Sequence, residues 1–262
     1  MNEQNPPRSG LLDLSGQRAL VTGASGNIGR AIATRLAESG ADIVVHYLND
    51  KEGAEKCEKA VRGAGGEAQL VKADLSSADA VQRLFEEIDK EGPVRLVVNN
   101  AAQQPVQDLA GMSAEEWRQV LAANLDSAFH VIQAASARIR ANGEPGAIVN
   151  VASIEGSDPA AGHGHYATSK AGLLMLTRAS ALEYGKYGVR VNAVSPGLID
   201  REGLEESWPE GVQRWLKNVP LGRIGRPGDV ADAVLFLLSP AARWISGANL
   251  VVDGGMSAVS RW

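Results

Sequence analysis

The stretch Arg18-Ala19-Leu20-Val21-Thr22-Gly23-Ala24-Ser25-Gly26-Asn27-Ile28-Gly29 decides the fold. An apolar run of strand length ends in a glycine-rich turn, and the residues from Asn27 onward carry a helical pattern. Glycines let a backbone turn tightly and approach a pyrophosphate, while the first turn of a helix offers free N–H groups and the positive end of its dipole. Placed between a first strand and a first helix, this turn predicts a dinucleotide site.

Outward from the turn, short apolar runs alternate with helical segments. Strands are predicted over residues 18–22, 42–47, 67–72, 94–98, 147–151, 190–194 and 249–252. Helices are predicted over 27–39, 51–63, 78–90, 113–140, 165–187, 202–217 and 228–238. That alternation is the signature of a parallel sheet covered on both faces, a three-layer α/β class. No linker, repeat or low-complexity segment divides residues 1–262, so one domain is expected, with a flexible N-terminus over 1–12. Residues 197–226 are rich in glycine and proline yet carry Trp208 and Trp215, which predicts a mobile lid over a site.

Apolar residues make up 44% and charged residues 22% of the 262, enough for a core without disulfides or metals. The net charge of −5 argues against a nucleic-acid or anionic-membrane surface. No apolar run is long enough to span a bilayer and the N-terminus lacks a signal-peptide pattern, so a cytoplasmic protein is expected. Cys57 is the single cysteine and reads as a bystander thiol. His46, His130, His163 and His165 show no metal-ligand spacing, so no metal site is expected.

Chemistry is signalled by Ser153 followed by Tyr166 and Lys170. Residues four apart lie on one helix face about one turn apart, which puts the Lys170 ammonium near the Tyr166 phenol. At ~4 Å and an effective dielectric of ~20, a cation favours the phenolate by ~4 kcal/mol. That is roughly three pKa units, enough to bring a phenol from ~10 towards ~7. Such a phenol can exchange a proton with an alcohol or carbonyl oxygen.

With the glycine turn, these residues resemble the single-domain branch of the short-chain dehydrogenase/reductase family over essentially 14–255. Thr22-Gly23 through Gly29 resembles the family's T-G-x-x-x-G-x-G, with Asn27 at the middle glycine. Asn99-Asn100-Ala101-Ala102 resembles its N-N-A-G, with Ala102 for the last glycine. The resemblance implies a Rossmann-like α/β/α sandwich with a seven-stranded parallel sheet in the order 3-2-1-4-5-6-7. It implies an NAD(P)-dependent oxidoreductase transferring hydride between nicotinamide C4 and a secondary alcohol or ketone. Asn124, Ser153, Tyr166 and Lys170 are then the catalytic residues, with Asn124 holding a water that relays protons.

The cofactor would be bound by Gly23, Ser25, Asn27, Ile28, Gly29, Tyr47, Leu48, Asp74, Leu75, Asn100, Ala101, Ala102, Tyr166, Lys170, Pro196, Gly197 and Ile199. The position that selects the cofactor falls on Tyr47, beside His46 and Leu48. With no acid there to repel a 2′-phosphate and no arginine to clamp it, the expectation leans to NADP, with NAD open. Glu155, His163 and Trp208 flank the site as candidate substrate contacts.

Two substrate readings stand: a small sugar or polyol, and a 3-oxoacyl group on an acyl-carrier protein. The second needs a basic docking patch, for which Arg138, Arg140 and Arg178 are the candidates. A non-catalytic nucleotide-binding scaffold is the remote alternative. Helices 113–140 and 165–187 are apolar over more than one stripe, and the resemblance supplies their second partner as other subunits of a homotetramer. The C-terminal 257–262 could pack across subunits or fray.

Overall fold

The computed structural model describes residues 10–259, so the predicted flexibility of 1–9 and the last three residues of the tail lie outside the described residues. Seven strands form one parallel sheet: β1 (Arg18–Val21), β2 (Asp42–Tyr47), β3 (Ala68–Lys72), β4 (Leu96–Asn99), β5 (Gly146–Val151), β6 (Val189–Pro196) and β7 (Asn249–Val252). Their order is β3-β2-β1-β4-β5-β6-β7, as expected. Between β1 and β4 the direction of winding reverses, which opens a crevice at the carboxyl ends of those strands.

Period-two alternation sorts the apolar side chains between the faces. Ala19 and Val21 join one core with Ile43, Val45, Leu96, Val98, Ala147 and Val149, under α1 (Asn27–Glu38), α2 (Lys51–Gly63) and the later helix 227–238. Leu20, Val44, Val97 and Ile148 face the other core, beneath α3 (Ala78–Asp89) and helix 127–142. Cys57 lies fully buried in the first of these cores, and burial pushes its thiol up to about 12.

Helix starts follow local chemistry. Asp50 accepts from the Gly53 amide at 2.8 Å to cap α2, and Ser77 accepts from the Ala80 amide at 3.3 Å to cap α3. The predicted helix 113–140 begins with a reciprocal Ser113–Glu116 capping box. It is not continuous: α4 (Ala114–Leu121) runs into a widened π turn over Ala122–Asp126 before α5 (Ser127–Asn142) resumes. The turn carries Asn124, and π turns of this kind are frequent at functional sites. β4 starts at Leu96 rather than 94, and α6 (Gly164–Tyr184) ends in a tight turn over Gly185–Tyr187.

The breaker-rich segment holds two helices, α7 (Leu204–Ser207) and α8 (Pro209–Asn218), before α9 (Pro227–Leu238). Trp208 lies flat on Gly211, where an added Cβ would come within 1.9 Å of the indole. Among the described residues no helix is long and apolar enough to cross a membrane.

One buried polar chain ties the strand ends to α6. Asn99 Nδ2 donates to Asn150 Oδ1 at 2.8 Å, and Asn150 Nδ2 donates to Thr177 Oγ1 at 2.8 Å. Asn150→Ala leaves the Asn99 amide without its acceptor in a dry site. The expected loss is about 2–4 kcal/mol of unfolding free energy, read from urea denaturation.

Candidate active site

A cleft of about 1600 Å³ lies along the carboxyl ends of the strands. At its nucleotide end the β1–α1 turn is held from both sides. Thr22 Oγ1 accepts from the amides of Asn100 and Ala101 at 2.9 and 3.1 Å, and Asn100 Nδ2 returns bonds to the carbonyls of Thr22 and Gly23. From β2, His46 Nδ1 accepts from the Gly23 amide at 3.2 Å. Its Nε2 must then carry the proton, and donates to the Ala73 carbonyl at 3.1 Å.

The turn suits a pyrophosphate. Gly23 has φ +61°, and a Cβ there would meet the Ala101 Cα at 2.9 Å; a Cβ on Gly29 would meet the Gly23 carbonyl oxygen at 2.4 Å. Helix α1 has no side-chain cap and no acid in its first turn, so its first N–H groups face a cleft lined by Ser25, Gly26, Asn27 and Ile28. These residues fit the phosphates of a dinucleotide. No residue but glycine has positive φ among the described residues, so Asn27 needs no left-handed backbone. Its amide Nδ2 instead donates to the Asp200 carbonyl at 2.6 Å, tying the turn to the segment after β6.

Leu48, Asp74, Leu75, Asn100, Ala101, Ala102, Pro196, Gly197 and Ile199 also line the cleft. Hydrogen bonds from the Ser76 hydroxyl and amide hold the Asp74 carboxyl below its ordinary range. Tyr47 is a correction. It shares the face of Ile43 and Val45 and packs on the apolar core, so the strand alternation turns it away from the cleft. His46, on the opposite face, and Asn49 and Asp50, beyond the strand, line the cleft instead.

At the chemical end, β5 delivers Ser153 and the first turn of α6 delivers Tyr166, with Lys170 one turn on; all three line the cleft. Ser153 Oγ accepts from the Glu155 amide at 3.1 Å, which leaves its own O–H free to donate. The expected lowering of the phenol pKa is not what this arrangement produces. Burial pushes Tyr166 up to about 12, hydrogen bonding with Ser153 opposes this, and the Glu155 charge adds to it. Lys170 is itself buried and pushed down to about 8. Its Nζ donates to the Val151 carbonyl at 2.8 Å and lies 5.6 Å from the Tyr166 ring centre. The helical spacing is as read, but the ammonium is anchored on β5 rather than on the phenol oxygen.

Asn124 is 1% exposed and does not line the cleft. Its Oδ1 accepts from the Gln103 amide at 2.7 Å, and its Nδ2 donates to the Gln103 carbonyl and to Ser169 Oγ at 2.9 and 3.0 Å. Ser169 in turn donates to the Tyr166 carbonyl at 2.7 Å. In this geometry the Asn124 side chain braces the cleft wall and the first turn of α6.

The substrate candidates lie on two walls. His163 Nδ1 lies 2.9 Å from Glu155 Oε2, within hydrogen-bonding distance, and the His163 ring meets Tyr166 edge-on with centroids 6.0 Å apart. Trp208 lines the opposite wall with Trp215, whose ring covers Gly197. Sequence reasoning missed His46, Gln103 and Gln104 as cleft residues; the β2 alternation could have found the first, and no local signal marks the others.

A glycine-turn nucleotide cleft that ends on a serine, a tyrosine and a lysine defines a single-domain dinucleotide-dependent oxidoreductase. A family model described as "Enoyl-(Acyl carrier protein) reductase" matches residues 23–257. Glucose 1-dehydrogenase 2 of Bacillus subtilis (strain 168) is 36% identical over 94% of this chain and 96% of its own. The 3-oxoacyl-acyl-carrier-protein reductase FabG of Staphylococcus aureus (strain Mu50) is 36% identical over 91% of this chain and 97% of its own. A gluconate 5-dehydrogenase from Burkholderia cenocepacia J2315, solved with NADP and tartrate, superposes with TM-score 0.89 at 30% identity, covering 96% of this chain and 99% of that one. The chain belongs to the short-chain dehydrogenase/reductase family.

The His46 bridge makes the nucleotide turn sensitive to acid. Burial holds its imidazole down at about 4, against 6.5 for a free one. The unfolded chain therefore binds the extra proton first, and stability falls as pH drops from 6.5 to about 4. The expected loss across that window is up to ~3 kcal/mol. Denaturant melts at each pH should show it in the parent protein and not in His46→Gln.

Proposed function

We propose that this chain interconverts a small secondary alcohol and its ketone, using a nicotinamide dinucleotide. The observation that carries this reading is the meeting of Ser153, Tyr166 and Lys170 in the cleft whose far end is the glycine turn. A bound nicotinamide supplies the acceptance or donation of hydride. The chain supplies the proton chemistry. Through neutral pH the Tyr166 phenol is protonated, so it can donate to a carbonyl oxygen, while the Ser153 O–H donates to the same oxygen and steadies its developing charge. In the reverse direction the phenol must first give up its own proton to solvent, and the phenolate oxygen then receives the alcohol proton. Lys170, cationic below about 8, favours the phenol proton's departure.

The relatives named glucose 1-dehydrogenase and gluconate 5-dehydrogenase support a small polar substrate. The acyl-carrier reading has the Staphylococcus aureus relative behind it. Its basic patch is weakened, because Arg138 pairs with Asp89 at 2.8 Å and Arg140 lies over the Tyr187 ring. For the cofactor we take NADP, supported by the NADP in the Burkholderia cenocepacia neighbour, with NAD as its competitor. A cytoplasmic location belongs to the same proposal.

A homotetramer is the proposed assembly. Phe129 on α5 and Met175 on α6 are 44% and 59% exposed, and Leu250 and Val251 on edge strand β7 are 37% and 45% exposed, so two separate apolar surfaces are available. Light scattering should give four times the chain mass; a monomer would refute it.

The enzyme reading is tested by fluorescence titration with NADPH and with NADH, followed by turnover of alcohols and ketones. NADPH should bind more tightly, and binding of neither would overturn the reading. Tyr166→Phe should lower turnover by ~10²–10⁴-fold with cofactor affinity kept within a few-fold.

A further inference from the structure

Glu155 leaves the chain beside the reacting centre, because the Ser153 hydroxyl caps the short turn Ile154–Gly156 through the Glu155 amide. Both of its carboxylate oxygens are held: Oε1 accepts from Gln104 Nε2 at 3.0 Å, and Oε2 pairs with His163 Nδ1 at 2.9 Å. Glu155, Gln104 and His163 all line the cleft, and the side chains of Glu155 and His163 are only 16% and 18% exposed. A carboxylate can accept about four hydrogen bonds, so this clamped group retains acceptor capacity.

We propose that Glu155, fixed by Gln104 and His163, determines specificity by accepting a hydrogen bond from a hydroxyl on the carbon next to the reacting one. The substrate is then a small polyhydroxylated alcohol or its hydroxyketone. This rests on the oxidoreductase reading above and concerns only what fills the cleft. An apolar acyl chain or ring system on this wall would strip water from a charged group and return no hydrogen bond. A substrate hydroxyl replaces that water. The carboxylate also works against ionising the neighbouring phenol, which is a cost that an apolar wall would avoid.

The test uses matched substrate pairs with the holoenzyme: cyclohexane-1,2-diol against cyclohexanol, and D-glucose against 2-deoxy-D-glucose. A 3-oxoacyl thioester and a hydroxysteroid are run beside them. The parent protein should prefer the hydroxylated member by on the order of 100-fold in kcat/KM, the size of a hydrogen bond to a charged group. In Glu155→Ala that ratio should collapse to a few-fold, mainly through KM. Glu155→Gln, which keeps one acceptor oxygen, should give an intermediate ratio, and thermal melts establish that both variants are folded. Equal use of both members, or an equal loss on both in Glu155→Ala, would reduce the cluster to a loop brace and overturn the proposal. Turnover of the thioester or steroid alone would overturn it while leaving the oxidoreductase reading intact. Cofactor binding with no turnover on any substrate would remove both.

Discussion

The hydroxyl of Thr22, a residue only 1% exposed, sits at the end of β1 where the winding of the chain reverses towards β4. It accepts from two successive amides of the chain leaving β4, and Asn100 bonds back to the carbonyls of Thr22 and Gly23. The glycine turn and the wall beyond Ala101 are thereby one unit. Next to it, Asn99 reaches through Asn150 to Thr177 on α6, so the nucleotide end and the helix carrying Tyr166 and Lys170 share a continuous buried polar connection. Buried bonds of this kind are costly to leave half-made, which gives the connection its rigidity.

The parts of the fold that depend on periodicity were legible in the chain. Strands that alternate Ala19-Leu20-Val21 between two cores, and helices capped by Asp50, Ser77 and Ser113, carry their own local instructions. The glycine turn was legible because Gly23 and Gly29 have no room for a side chain. What stayed hidden depends on contacts distant in sequence. The π turn at Asn124 forms around bonds to Gln103 and Ser169, which no local pattern records. At the end of β2 the pleat places Tyr47 on the apolar core and its neighbour His46 on the cleft, a one-residue difference that pairing with β1 and β3 fixes.

Spacing alone also misjudged the electrostatics of the reacting pair. A turn of helix brings Lys170 near Tyr166, but burial acts on both, raising the phenol and lowering the amine. The carbonyl of Val151 then becomes the ammonium's partner. Proximity of opposite tendencies is therefore not enough to set a proton affinity; the dryness of the site weighs as heavily as the charge.

The two ends of the cleft are built from different materials. The phosphate cradle presents backbone amides, glycines and an uncapped helix end, braced from behind by the side chains of Thr22, His46 and Asn100. The reacting end is faced with Gln104, Glu155, His163, Trp208 and Trp215, each on a loop or a short element outside the sheet. Changes in those side chains can alter the accepted molecule without disturbing the nucleotide grip or the core. A lineage of such chains can thus diversify its chemistry by drift at a handful of loop positions, while the sheet and its first turn are inherited unchanged.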